Sequence, residues 1–470
     1  MTSKPVNNNR LIYDPDILSA YNEDALGIRG GFEAVFRAQA EDEIMDLVKK
    51  CAADRKAVTP QGLRSSLTGA SICDKGIALS LEKMNRIIDI DVKNRRAIVE
   101  PGVITSDLKE AVLGEGLFYP PDPTSAGEST IGGNVATNAS GSSALKYGST
   151  IDWVQGLKVI DGNADLIDVK NILSEKSSAG YGLMNKPVNI FVGSEGTIGI
   201  ITQIEVSLTL KPPPSFLGTV FFQDLKSVLD FNLTVRKDRY CSPKSIEFFD
   251  NACLNILRPE AEGLFIPADA LFMVNFEQEY DDERHLQRHL DGWYKIIKTY
   301  SGFFDNTQIS SSKAQIKHLK YLRHYIPEKM NEESIKAWKK GGCKIATDWT
   351  VPYNKLHELF DYFDKIKYIL GDMTVVRFGH IGQGHPHFNF MARNGEEKKA
   401  AEKINTLMAI KAVELGGAIS GEHGIGKTKR NLINFQYPDA VIKIMKVIKK
   451  EFDPKGILAP GNIFCVNSFF

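Results

Sequence analysis

The stretch PDPTSAGESTIGGNVATNASGSSALKYG, Pro121 to Gly148, decides how the rest of the chain is read. It is crowded with glycine and short polar side chains, and Gly132, Gly133 and Gly141 let the backbone come close to another group. Such a passage can turn several backbone N–H groups toward a phosphate. It is no dinucleotide fingerprint, since no GxGxxG joins a strand to a helix, and no Walker A loop, since no GK[ST] follows. Composition alone leaves an ordinary surface loop open. Two companions narrow the choice: TPQGLRSSLTG (59–69) follows a strand-like run, and GSEGTIGIIT (193–202) is a third polar glycine loop. Three such loops at strand ends suggest one extended ligand carrying a pyrophosphate.

Around these loops the first 210 residues alternate strand and helix patterns. AVFRAQ (34–39) and AVTPQG (57–62) read as strands, and between them EDEIMDLVKKCAADR carries Ile44, Leu47, Val48 and Cys51 at helical spacing. IALSLE, IIDIDV and AIVEPGV are further strands, the last two joined by the turn KNRR. A helix is expected over Ser106–Gly114, and VNIFVGSEGTIGIITQIEVSLTL (188–210) should hold two strands around a glycine turn. The proline-rich KPPPS (211–215) marks a boundary. Beyond it a helix over Glu396–Leu415, with Ala401, Ile404, Met408, Ala412 and Leu415 on one face, stops at Gly416-Gly417, and a last helix runs from Asp439 to Phe452.

At 470 residues the chain calls for two or three domains. Lys+Arg and Asp+Glu are equal at 58 each, so no net basic field attracts nucleic acid or anionic membrane. The polar start MTSKPVNNNRLIYD lacks the apolar run of a signal peptide, and no stretch of about 18 apolar residues predicts a transmembrane helix. The apolar ending GNIFCVNSFF is expected to pack down. Six scattered cysteines without a CxxC pair fit reduced thiols in a cytoplasm and supply neither an iron–sulfur cluster nor a structural zinc site.

A second constellation lies in GHIGQGHPHFN (379–389), which places three of the nine histidines within eight residues. In a strand, positions 385, 387 and 389 share a face, with His380 just before them past a Gly-x-Gly bend. Further on, AISGEHGIGKTKR (418–430) reads as a strand leading into a turn that bears Glu422 and His423. Two histidines and a glutamate with a vacant position make the ligand set of a catalytic divalent metal. Imidazole suits zinc, iron or manganese better than magnesium. The competing reading is a polar strand whose histidines bind a substrate directly.

The order PQGxxxxxxG, PPDPxS…TIGGNxATNAxG…KYG and GSEGTIG resembles the flavin-binding domain of the vanillyl-alcohol oxidase / p-cresol methylhydroxylase superfamily. That resemblance implies an α+β fold: a two-subdomain FAD-binding domain over 1–215, an α/β cap over 216–415, and a segment 416–470 returning to the FAD domain. It implies a cofactor role for Pro60, Gly62, Ser65, Ser66, Gly69, Pro121, Gly132, Gly133, Asn138, Gly196 and Ile201. The diphosphate would lie along the first two loops and the adenine end near the third. Gly62-Leu63-Arg64-Ser65 departs from the family's usual first loop, so Arg64 either reaches a phosphate or points to solvent. The three loops lack histidine and cysteine, which implies noncovalent FAD.

GHxGxGxxHxN followed by SGEHGIGK is similar to the C-terminal half of FAD-dependent D-2-hydroxy acid dehydrogenases. The resemblance implies His380, His387 and Glu422 as metal ligands, zinc first and manganese or iron as alternatives, with His423 as the base. Gln383 and His385 depart from the commoner aspartate and asparagine, and Ala459 stands where asparagine is commoner in the closing FDPKGILAPGNIF. Arg323, in KHLKYLRHYIP, matches the arginine of a W-x-x-R-E-like motif, with Lys320 and His324 in place of Trp and Glu; it is the candidate for the substrate carboxylate, with Asn389 and His385 beside it. ATDWTVP (346–352) lacks the lysine of members that take dicarboxylates, although Lys344 is near, which favours D-lactate.

The expected reaction is proton abstraction from a D-2-hydroxy acid and hydride transfer to flavin, assisted by the metal. Electrons would then pass to an external acceptor: an electron-transfer flavoprotein, a quinone or an iron–sulfur subunit. A cytoplasmic protein is expected, free or peripheral at the inner face of the membrane, and a homodimer is open. Two alternatives remain: a non-redox flavoenzyme resembling alkyl-dihydroxyacetonephosphate synthase, and a flavin subunit of an electron-transfer complex acting on glycolate or D-2-hydroxyglutarate.

Overall fold

The computed structural model describes residues 10–260 and 263–465. The first nine residues of the polar start and residues 466–470 of the apolar ending lie outside them. The chain forms two compact units, one of residues 1–141, 148–211 and 422–470, the other of 142–147 and 212–421. The division falls at 211 and 421, not at 215 and 415, for local reasons. Tyr280 N donates to Pro214 O at 3.0 Å, Ala418 bridges to Thr350, and Gly421 N donates to Asp348 O at 2.6 Å, so both flanks belong with the second unit.

The first unit holds two main sheets. In one, β2 (Ala34–Arg37) and β3 (Val58–Gln61) run parallel to β4 (Ile77–Ser80), with the short β1 (Leu11–Ile12) antiparallel on β2. The helix Glu41–Asp54 joins β2 to β3. Its first turn carries Glu41, Asp42 and Glu43, which suit the positive end of the helix dipole, and Ile44, Leu47, Val48 and Cys51 are buried. The other sheet is antiparallel, ordered β5-β6-β10-β8-β9, from β5 (Ile87–Asp91), β6 (Arg96–Val99), β8 (Val154–Ile160), β9 (Leu166–Lys170) and β10 (Ile200–Ser207). A two-residue pair, β7 (Leu117–Phe118) with β11 (Thr209–Leu210), lies apart. The helices Thr105–Gly114 and Asp439–Phe452 pack on this second sheet's core through Leu108, Val112, Ile448 and Phe452.

Two expectations fail in this unit, and one hairpin has no counterpart in the sequence reading. VNIFVG is no strand: Pro187–Ile190 is a 3-10 turn, and Gly193, Glu195 and Gly196 then take φ of +75°, +52° and +73°, so pairing begins only at Ile200. The hairpin β8–β9 goes unread in the sequence, although its turn at Asp161 to Asp165 is tied by Asp161 Oδ1 accepting from Asn163 N and Asp165 N, both at 2.9 Å. The glycine passage is not all loop either. It contains the helix Ile131–Thr137, whose capping Thr130 Oγ1 accepts from Gly133 N at 3.1 Å.

The second unit is built on a seven-stranded antiparallel sheet, ordered β15-β12-β14-β13-β17-β18-β16. Its strands are β12 (Ser215–Phe222), β13 (Ser245–Phe249), β14 (Phe272–Glu279), β15 (Gln308–Ser310), β16 (Gly341–Ala346), β17 (Val375–His380) and β18 (His385–Asn394). The helices Asn251–Leu257 and Lys313–Trp338 cover one face, burying Phe221, Phe249, Met273, Val376 and Phe378 against Leu254, Leu257, Leu322 and Ile326. On the other face Phe276 stacks on Trp293 with centroids 3.5 Å apart, and Phe388 meets Phe360 and Phe363. The helix Gly395–Glu414 buries Ala401, Ile404, Met408 and Ala412 as expected, but Leu415 is its C-cap. Residues 418–420 form no strand beyond the single bridge Thr350–Ala418.

Burial also tests the first unit's C-terminal helix. Lys449 is buried, and its Nζ donates to Thr197 O at 2.6 Å, to Leu458 O at 3.0 Å and to the equally buried Asp453. Lys449→Ala strands the Asp453 charge, and the expected loss is about 3–5 kcal/mol. A urea midpoint lowered at constant slope would show it; an unmoved midpoint would contradict it.

Candidate active site

The β17–β18 hairpin sets the second unit's chemistry through its register. His380 pairs with His385 across the strands, Phe378 with His387 and Val376 with Asn389, so all three histidines and Asn389 share one face. The turn between the strands closes at Gly384, whose φ of +72° favours glycine, and a Cβ there would meet Val351 O at 1.9 Å. His380, His385, His387 and Asn389 are all buried, and the histidines' ligand-capable nitrogens lie within 4.8 Å of one another.

Each ring is held by a neighbour. His380 Nδ1 lies 2.5 Å from Glu247 Oε1 on the adjoining β13, and its Nε2 is 3.3 Å from Arg323 Nη2. His387 Nδ1 lies 3.2 Å from Thr347 O, where only an N–H can serve, which in the neutral ring makes Nε2 the ligand nitrogen. His385 Nε2 is buried 3.3 Å from Asp348 Oδ1 without hydrogen-bond geometry, and Ser420 Oγ donates to the other Asp348 oxygen at 2.5 Å. Gly421 closes over this ring, since a Cβ there would come within 2.7 Å of His385 Cε1. Glu422 is the next residue in the chain. Carboxylate and carbonyl partners on the far nitrogens are the arrangement that orients imidazoles toward a metal, so the donor set fits a divalent transition ion.

Arg323, on the helix Lys313–Trp338, donates from Nε to Glu247 Oε2 at 2.9 Å. Burial would raise the Glu247 carboxyl, but the charges and hydrogen bonds of His380 and Arg323 outweigh it and hold the group down at about 2. Beside this pair is a cavity of about 380 Å³ including its open mouth, lined by Ser142, Ser245, Glu247, Asn275, Glu277 and Arg323 together with apolar groups. Glu247 and Asp348 were not picked out from the sequence. The available signal for Glu247 was a lone carboxylate inside the apolar run SIEFF, every residue of which is buried.

In the first unit the loops that resemble flavin loops converge on each other. A Cβ on Gly62 would lie 2.4 Å from Thr130 Oγ1, one on Gly132 2.8 Å from Pro101 O, and one on Gly196 2.7 Å from Pro60 Cγ. These glycines therefore serve close loop-to-loop approach. Gly133 meets only Thr130 Oγ1 within 4 Å, which leaves room over the first turn of its helix. Ser65 and Ser66 are half-buried, Gly69 N donates to Asp24 Oδ2 at 2.9 Å, and Pro121 O accepts from Lys109 Nζ at 3.1 Å. Asn138 takes φ +50° and its Oδ1 accepts from Ile151 N, while the Ile201 side chain sits in the core. Arg64 does not point to solvent: it pairs with Glu82 at 2.8 Å and lies over the Tyr21 ring. Thr59 Oγ1 and Gln61 Oε1 at the start of the first loop and Ser71 Oγ just after it are buried without a hydrogen bond, which fits a polar ligand such as FAD.

His423 and Glu422 open the last segment of this unit, with His423 Nε2 3.5 Å from Glu422 Oε1. Ala459 takes φ +40°, a conformation asparagine adopts more readily than alanine.

Comparisons with known proteins show what the chain is similar to. Residues 32–170 match the family model of an FAD binding domain, and residues 211–463 match that of FAD linked oxidases, C-terminal domain. The glycolate oxidase subunit GlcD of Bacillus subtilis is 32% identical over 97% of this chain and 93% of its own. D-2-hydroxyglutarate dehydrogenase of Stutzerimonas stutzeri is 30% identical over 98% of this chain and 97% of its own. Crystalline p-cresol methylhydroxylase superposes with a TM-score of 0.73 at 16% identity, covering 98% of this chain and 95% of that one, which shows the shared fold.

The ion pair at Glu247 carries a pH signature. Its folded pKa of about 2 lies below the usual 4.5, so the stabilisation is complete above the unfolded value and is lost as pH falls through the folded one. Wild type and Glu247→Gln, unfolded in urea at a series of pH values, should differ by on the order of 3 kcal/mol less near pH 2 than near pH 5. A difference independent of pH would contradict the pairing.

Proposed function

The chain belongs to the FAD-linked oxidases, and from that membership we propose that it oxidises a short D-2-hydroxy acid, D-lactate foremost, to the 2-oxo acid with a divalent metal held by His380, His387 and Glu422. Its class is FAD-dependent oxidation of 2-hydroxy acids. The observation that carries the finer reading is the cluster of three buried imidazoles, with Glu247 and Thr347 O holding the outer nitrogens of two.

A divalent cation bound there, zinc or else manganese or iron, supplies Lewis acidity toward the hydroxyl and carboxylate oxygens of a 2-hydroxy acid. Bound FAD, cradled by the glycine loops, supplies the hydride acceptor. In this reading the protein's own groups position and deprotonate. Arg323 faces the carboxylate, its plane fixed by the bond from Nε to Glu247. Asn389 and His385 flank the same face, with His385 Nε2 3.3 Å from Asp348 Oδ1. His423 takes the hydroxyl proton at an imidazole nitrogen, a task suited to imidazole near neutral pH. The short substrate is supported by ATDWTVP, which lacks a lysine, and by Lys344, whose ammonium donates to Asn331. The glycolate and D-2-hydroxyglutarate relatives bracket it in length. Electrons then leave to an external acceptor.

Anaerobic mixing with each lactate isomer tests the reading. D-lactate should bleach the visible flavin band and L-lactate should not, and prior chelation should slow the bleaching. His423→Ala should keep the flavin band and lose reduction by about 100-fold or more. Equal bleaching by both isomers, or wild-type reduction in His423→Ala, would contradict it.

A further inference from the structure

We propose that Glu195 is a positioning residue, whose buried carboxylate clamps the loop that carries His423; the catalytic consequence rests on the reading of His423 as base. Glu195 lies in GSEGTIG, between Gly193 and Gly196, and is buried. Its φ of +52° is left-handed, which side chains other than glycine, asparagine and aspartate seldom adopt. Such an outlier persists where the surroundings over-determine it, and it points toward a function. Here the turn aims both carboxylate oxygens at one short segment. Oε1 accepts from Ile425 N at 2.6 Å and Oε2 from Gly426 N at 2.7 Å.

The segment is shaped for this anion. Gly424 and Gly426 take φ of +80° and +50°, and a Cβ on Gly424 would sit 2.7 Å from Glu195 Oε1, so the carboxylate fills the space of a side chain. Successive backbone N–H groups in such a bend form an anion-binding concavity. Burial raises the Glu195 carboxyl, while the two N–H bonds and the nearby Lys429 and Lys427 oppose it.

Other parts of the unit converge on the same few residues. Thr68 O accepts from Lys427 N at 2.8 Å, Lys427 Nζ donates to Asn462 Oδ1 at 2.6 Å, and Asn462 Nδ2 donates to Ala70 O at 2.7 Å and Glu195 O at 3.1 Å. A loop with two glycines has large freedom to lose, and its first residues are Glu422 and His423. A base must be held within a fraction of an ångström of its proton, and a displacement of about 1 Å can cost 100-fold in rate. Glu195 meets that demand two residues beyond His423.

Glu195→Gln keeps the size but offers one carbonyl to two N–H groups. The variant should bind FAD with an unchanged visible band and reduce it with D-lactate about 10- to 100-fold more slowly, with KM little changed. Added to His423→Ala, it should cost nothing further. Hydrogen exchange at the Ile425 and Gly426 amides should accelerate, a readout independent of turnover. Glu195→Asp, which keeps the charge and shortens the reach, should show the same losses in smaller measure and serves if Glu195→Gln does not fold. Unchanged exchange, a wild-type reduction rate, or a further loss in the His423→Ala background would each overturn the proposal. A wild-type protein that no 2-hydroxy acid reduces would overturn the function of the site instead, and the exchange rates would then decide whether Glu195 clamps the loop.

Discussion

Glu247 accepts from Arg323 Nε at 2.9 Å and lies 2.5 Å from His380 Nδ1, and the polar half of the second unit is arranged around that carboxylate. It fixes three things at once: the plane of a guanidinium on the helix Lys313–Trp338, the tilt of an imidazole at the end of β17, and the packing of β13 between β14 and β17. A buried carboxylate is costly unless its oxygens are met, and here both are met by cationic or ionisable donors. The hairpin then does the rest through strand geometry. Because alternate residues share a face, His380, His385 and His387 converge without any of them leaving a regular strand or its end.

The first unit relies on a different constraint, the close approach of loops. Gly62 against Thr130, Gly132 against Pro101 and Gly196 against Pro60 allow distances that no side chain would permit. Loops packed this way become a firm surface, and their buried unmatched atoms, Thr59 Oγ1 and Gln61 Oε1 among them, fit a polar ligand such as the FAD of the matching family. Glu195 extends the principle to the C-terminal loop by replacing a side chain with an anion.

Much of this was legible in sequence because it rests on short-range rules. Period and punctuation located the helices Glu41–Asp54 and Asp439–Phe452, and the three glycine loops pointed to an extended phosphate ligand. What escaped depended on partners distant in the chain. Pro187 and three left-handed residues override the strand pattern of VNIFVG, and Thr130 finds a helix inside a passage that composition marks as loop. The partners of Arg64, Glu82 and the Tyr21 ring, lie 18 and 43 positions away and leave no local pattern. Glu247, 133 positions from His380, could be suspected only as a charge in an apolar strand.

The proposed reaction depends on a catalytic metal held on the histidine face beside the substrate. The most direct measurement is zinc or manganese binding per chain, by competition with a chelator, for wild type and for His387→Ala with flavin content measured alongside. Wild type should hold one tight divalent ion per chain, His387→Ala should lose it, and the flavin content should be equal in both. A wild type that binds no ion yet is rapidly reduced by D-lactate would contradict it.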